Sequence, residues 1–147
     1  MSNFDFLLSE PEFSSFAQAA VNAERLFGID TAACVLNCRR AAEFAVKWMY
    51  SVDAELEKPT DERFVYLISG ETFRDIVGKD LHTRLEYIRK TGNNAAHADK
   101  KITPEQARLC IENLHDFMDF MECCYGSDDN YQYAEFDPAL IPKDNKI

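Results

Sequence analysis

The segment Thr103-Pro104-Glu105-Gln106 constrains the fold more than any other stretch of the chain. Thr at the N-cap, Pro at N1 and Gln at N3 form a capping box, so a helix has to begin there. Behind it Ala107, Cys110, Ile111, Leu114, Phe117, Met118 and Met121 fall on one stripe, and the helix is predicted to stop near Tyr125-Gly126. Such a stripe has to be buried, and the chain offers helical partners for it. Asp30 or Thr31 can cap a second helix running to about Val52, with Cys34, Cys38, Ala41, Ala42, Ala45, Trp48 and Met49 on one side. Leu81, Leu85 and Ile88 mark a third, which Gly92 is expected to end. Ser9-Glu10-Pro11-Glu12 reads as a capping box opening a helix to about Phe27, with Gly28 placed for a left-handed C-cap. Two short helices, 61–69 and 71–77, are punctuated by Gly70 and Gly78. No alternating strand pattern of useful length occurs. The expected fold is all-α, a bundle of four main helices with one or two short extra ones.

At 147 residues the chain is large enough to bury a core without disulfides or metals. Its hydrophobic content of 46% and its 11 Phe, 6 Tyr and 1 Trp exclude a disordered chain. Charges break every apolar stretch short of the ~20 residues that span a bilayer. Asp5, Glu10 and Glu12 near the N-terminus, with no basic stretch before them, do not read as a signal peptide, so a cytoplasmic location is expected. The five cysteines (Cys34, Cys38, Cys110, Cys123, Cys124) lack the spacing of a zinc site and read as buried reduced thiols, a redox or metal role being the alternative. Neither a phosphate loop nor a dinucleotide fingerprint is present, and His82, His97 and His115 do not form a His-Glu-x-x-His set. No metal and no cofactor is expected for this segment. From Ser127 the composition turns polar and acidic, so residues 1–126 read as the bundle domain. Residues 127–147 read as a tail that wraps it through Tyr131, Tyr133 and Phe136, or as a linker to a further region.

Two groups of residues carry functional interest. The net charge of −10 argues against a whole-surface nucleic-acid footprint, yet residues 79–101 hold Lys79, Arg84, Arg89, Lys90, Lys100 and Lys101 against Asp80, Glu86 and Asp99. Inside that stretch lies Ile88-Arg89-Lys90-Thr91-Gly92-Asn93-Asn94-Ala95-Ala96-His97. Gly92 and an Asn suit left-handed backbone positions, and the alanines suit close helix approach. His97 and Arg89 are residue types that metal-independent ribonuclease chemistry can use, and the same side chains can cap helix ends and tie a connection to the bundle. Arg84, Arg89, Lys90, Asn94, His97, Lys100 and Lys101 are the candidate nucleic-acid or partner contacts, with Arg89 and His97 as the catalytic alternative. The second group is Arg39, Arg40 and Glu43 on the predicted second helix, where Arg39–Glu43 and Glu43–Lys47 are i,i+4 pairs. They form either a solvated salt-bridged face or one side of a site shared with a neighbouring helix.

The order Asn3-Phe4-Asp5-Phe6-Leu7, Ala23-Glu24, the segment CRRAAEFAVKWMY (38–50), the segment 88–97 and a capped helix ending in Tyr125 resembles a helical domain at the N-terminus of type I restriction enzyme R (HsdR-like) subunits and related DEAD/DEAH-box helicases. The resemblance covers residues 3–125. It implies a fragment of a larger ATP-dependent restriction endonuclease or helicase, with this segment a non-catalytic accessory module supporting assembly or DNA engagement. The implied partners are the nuclease and motor domains of its own polypeptide, the restriction-complex subunits and DNA, and no membrane. The domain is also similar to HEPN four-helix bundles, whose ribonuclease members carry Arg-x(4–6)-His. Here seven residues separate Arg89 from His97, and only Lys90 stands at a spacing of six. The HEPN resemblance implies, as an alternative, a metal-independent ribonuclease or toxin-like domain using His97 and Arg89 across a homodimer interface. A self-associating bundle without a nucleic-acid role is the third reading.

Overall fold

The computed structural model describes residues 1–97 and 99–142. Five α-helices account for most of them: α1 (Ser14–Leu26), α2 (Thr31–Val52), the single turn α3 (Phe64–Leu67), α4 (Glu71–Ala95) and α5 (Pro104–Tyr125). The described residues contain no strand, and the fold is the expected all-α bundle. Thr103 accepts from the Gln106 amide at 3.1 Å while the Gln106 side chain accepts from the Thr103 amide at 2.9 Å, so the capping box forms as the sequence predicts. Asp30 rather than Thr31 caps α2, its Oδ1 accepting from the amides of Ala32 and Ala33.

Helix α2 is the centre of the bundle, packed by α1, α4 and α5. Its small residues Ala41, Ala42 and Ala45 are fully buried and let the neighbouring backbones come close. Leu85 and Ile88 of α4, and Ile111, Leu114, Phe117, Met118 and Met121 of α5, fill the space against it without exposure. Burial of a Leu, Phe or Met side chain contributes roughly 1.5–3 kcal/mol, so these stripes carry the fold. Cys34, Cys38 and Cys110 are buried free thiols. Cys110 is pushed up to about 12 by burial, and the hydrogen bond that the Cys38 thiol donates to Cys34, with burial, raises Cys38, which leaves both thiols protonated and inert. Cys123 and Cys124 are exposed on the last turn of α5, outside the core expected to hold all five.

Several local expectations are corrected. The first helix does not begin at a Ser9 capping box: residues Asp5–Ser9 and Pro11–Phe13 form 3-10 turns, and α1 starts at Ser14. Ser9 donates its hydroxyl to Phe6 O, and Glu10 is drawn away to the tail, accepting from the Ser127 amide and hydroxyl at 2.9 and 2.7 Å. Gly28 is not left-handed, because Gly78 is the only positive-φ residue among those described. The predicted 61–69 helix shrinks to Phe64–Leu67, because Arg63 grips the Asp61 carboxylate through Nε and Nη2 in an extended lead-in. Gly78 (φ 84°, ψ 165°) separates 71–77 from the rest of α4 as a sharp kink rather than a loop. Gly92 does not end the helix. It is buried inside α4, which runs on to Ala95, and no Asn in the segment has positive φ.

The described part of the tail wraps the domain. Tyr131 donates its hydroxyl to Asp119 Oδ1 at 2.5 Å, and the Ala134 amide reaches the same oxygen. Asn3 holds three segments together, donating to the buried Glu24 carboxylate at 2.8 Å and exchanging hydrogen bonds with the Asp137 backbone. Phe4, Phe6, Tyr133 and Phe136 surround His115, whose two ring nitrogens are buried without a partner among the described residues. Burial lowers the His115 pKa and keeps the imidazole neutral, while Asp116 and Asp119 oppose that shift. Residues 143–147, the end of the tail, lie outside the described residues.

Candidate functional site

Helix α4 crosses α2 at Gly92. A Cβ built there would lie 2.6 Å from Arg39 Cδ and 2.9 Å from Arg39 Cβ, so the aliphatic stem of Arg39 lies directly across the missing side chain. Beside the crossing lies an open notch of about 270 Å³ lined by Arg39, Glu43, Arg63, Phe64, Val65, Arg89 and Asn93. Three elements thus converge: Arg39 and Glu43 from α2, Arg63 from the lead-in to α3, and Arg89 and Asn93 from α4. Residues from both groups singled out in the sequence line this notch, Arg39 and Glu43 from α2 and Arg89 from α4. The expected Arg39–Glu43 pair is not the contact that forms. Glu43 pairs with Lys47 at 2.9 Å, and the buried Arg39 Nε has no hydrogen-bond partner among the described residues. Arg40 projects beside the notch, its guanidinium 5.2 Å over the Phe44 ring, in a shallow groove that Arg39 and Glu43 also line.

The other arginines are held from outside the notch. Arg89, little exposed, donates through Nη2 to Glu86 at 2.8 Å, and Lys90 approaches the same carboxylate at 3.7 Å. The Arg89 hydrogen bond holds the Glu86 carboxyl below its usual range, and Glu86 stays ionised as the counter-charge. Arg63 binds Asp61 and places its guanidinium 5.2 Å from the Tyr66 ring. The residues that line the notch carry three cations, Arg39, Arg63 and Arg89, against one carboxylate, Glu43. That is a surplus of two positive charges in a chain of net −10. A larger groove, about 610 Å³ at the Gly78 kink, mixes Glu71 and Asp75 with Arg74 and Lys79 and has no such bias.

The predicted contact residues divide between surfaces. Arg84 turns to α5, bonding Asp80, Asp116 and Asn113 at 3.0, 3.0 and 2.8 Å, which spends its charge within the protein. Lys90, His97, Lys100 and Lys101 are exposed near the C-terminal end of α4, where Lys100 Nζ donates to Asn94 Oδ1 at 3.2 Å. Arg89 and His97 are not brought together. Arg89 is turned to Glu86 two turns before His97, and His97 lies past the helix end and does not line the notch. Sequence reasoning missed Arg63 and Asn93. Arg63 lies on an irregular connection that no periodicity reports. Asn93 could have been found from α4, because it stands four residues after Arg89 on the same face.

Among the described residues no group of His, Cys, Asp or Glu could hold a metal ion, and no helix is long and apolar enough to cross a membrane. No curated protein and no solved structure matches the chain. A family model described as a domain of unknown function, DUF4145, matches residues 21–143, from α1 into the tail, and the chain belongs to that family.

Proposed function

We propose that the chain is a non-catalytic accessory module that engages nucleic acid, working as the N-terminal part of a type I restriction R subunit or a related helicase. One observation carries the reading: Lys90, Lys100 and Lys101 are exposed near one end of α4 in a strongly acidic chain. Cations so placed suit phosphate contacts that position a duplex without reading its sequence. The resemblance of segments 38–50 and 88–97 to R-subunit and helicase N-terminal domains supplies the context. A salt titration of duplex DNA binding tests it. The variant Lys90→Ala/Lys100→Ala/Lys101→Ala is expected to weaken binding and to flatten the dependence of log K on log salt by about 0.9 for each phosphate that is no longer neutralised. Equal affinity and slope for wild type and variant would dispose of the reading.

The competing reading is a HEPN-type metal-independent ribonuclease that uses Arg89 and His97. The exposure of His97 favours it, because an exposed imidazole is open to a second copy of the chain. It requires a dimer that carries His97 of one copy to Arg89 of the other.

A further inference from the structure

The arginine notch differs from the lysine surface in kind. Lysines near the end of α4 are separate, hydrated point charges, whereas the arginines Arg39, Arg63 and Arg89 line one concave space from three different elements. Two of the arginines are already oriented, Arg63 by Asp61 and Arg89 by Glu86, so little ordering remains to be done on binding. The third, Arg39, is fixed through its stem by the crossing at Gly92 and has an unused buried Nε. Asn93 adds an amide at the rim, and Phe64 and Val65 give one apolar wall.

Charge and shape together choose the ligand. A carboxylate offers two oxygens, which one guanidinium can occupy. A terminal phosphate offers three oxygens and about two negative charges at neutral pH, which suits three lining arginines against the single lining carboxylate Glu43. A bridging phosphodiester of a duplex has a single charge and is flanked by sugar on both sides, which suits a notch of about 270 Å³ poorly. We propose that the notch formed by Arg39, Arg63, Arg89 and Asn93 binds a phosphomonoester, the terminal phosphate of a nucleotide or of a nucleic-acid end. The inference goes beyond duplex engagement by the lysines and does not rest on it.

Calorimetric titration of the full chain tests it with AMP, a 5′-phosphorylated DNA trinucleotide and the same trinucleotide with a 5′-hydroxyl. Saturable binding is expected for phosphorylated probes, with the 5′-hydroxyl form weaker by about tenfold or more. Comparable affinity for AMP and the phosphorylated trinucleotide identifies a nucleotide site, and a clear preference for the trinucleotide identifies a nucleic-acid end. Arg39→Gln and Arg63→Gln should each weaken the phosphorylated probes about tenfold, whereas Lys100→Ala/Lys101→Ala should leave them unchanged. Arg63 is largely exposed, so its variant keeps the test decisive if Arg39→Gln fails to fold. Equal binding of the 5′-hydroxyl probe, no effect of Arg63→Gln, or no saturable binding at all would overturn the site. Equal duplex binding by wild type and the triple lysine variant, which disposes of the duplex reading, leaves the notch standing, so the two failures are distinguishable.

Discussion

Replacing Gly92 with valine is expected to cost about 3 kcal/mol of unfolding free energy. The reason is geometric. The first added carbon would meet the Arg39 stem at 2.6 to 3.2 Å, and one of the atoms it meets is Arg39 Cβ, which is fixed to the α2 backbone and cannot swing aside. Helices α2 and α4 have to separate, and the separation is felt by the fully buried Ala42, Leu85 and Ile88. The effect of Gly92→Ala is smaller, about 1 kcal/mol, because removing a glycine from a helix interior returns roughly 0.5–1 kcal/mol against the clash. Urea unfolding followed by circular dichroism reads both values. Combining Gly92→Ala with Arg39→Ala should cost less than the two single changes added together, since the second removes the Cγ and Cδ atoms that the first meets. A Gly92→Val protein with wild-type stability would mean that the helices do not approach as described.

Glu122→Gln is expected to stabilise the protein, by roughly 3 kcal/mol at pH 8. Glu122 lies buried near the end of α5, with one carboxyl oxygen unpartnered among the described residues, and its pKa is raised to about 7 by burial first and by Glu10 second. In the unfolded chain the group titrates near its ordinary 4.5. Below that value both states hold the proton and no penalty exists. Between 4.5 and about 7 the folded state keeps a proton that the unfolded state has lost, so stability falls as pH rises through this window. Above about 7 the folded protein carries the full cost of a buried carboxylate beside Glu10, which itself accepts from Ser127. A neutral amide removes that cost, so the gain over wild type should be large at pH 8 and close to zero at about pH 4.5. Parallel stability curves for the two proteins across this range would show that Glu122 is not held in its neutral form.

Those two positions show what could be read in the chain beforehand. The α5 capping box, the α2 span and the apolar stripes are local and periodic, and they appear where the sequence puts them. Ser9-Glu10 has the same local signature and fails, because Glu10 is claimed by Ser127, 117 residues away, and no local rule reports such a partner. Gly92 fails for a related reason. A glycine late in a helix reads as a stop, yet it sits where Arg39 of another helix needs the room. The candidate site was legible in halves. Arg39 with Glu43 and Arg89 with its segment stood out as polar groups, while their meeting around Arg63 depends on the crossing of α2 and α4.

Residues 88–95 are the packed end of α4, where Arg89 lines the notch, and His97 lies past the helix end, outside it. The most direct test is RNA cleavage in chelator-containing buffer, comparing wild type with His97→Ala and following the thermal unfolding of both. The expected result is no cleavage by either protein and nearly equal melting temperatures, as suits an exposed side chain. Cleavage by the wild type that disappears in His97→Ala, with the fold unchanged, would contradict the account and establish the ribonuclease reading in its place.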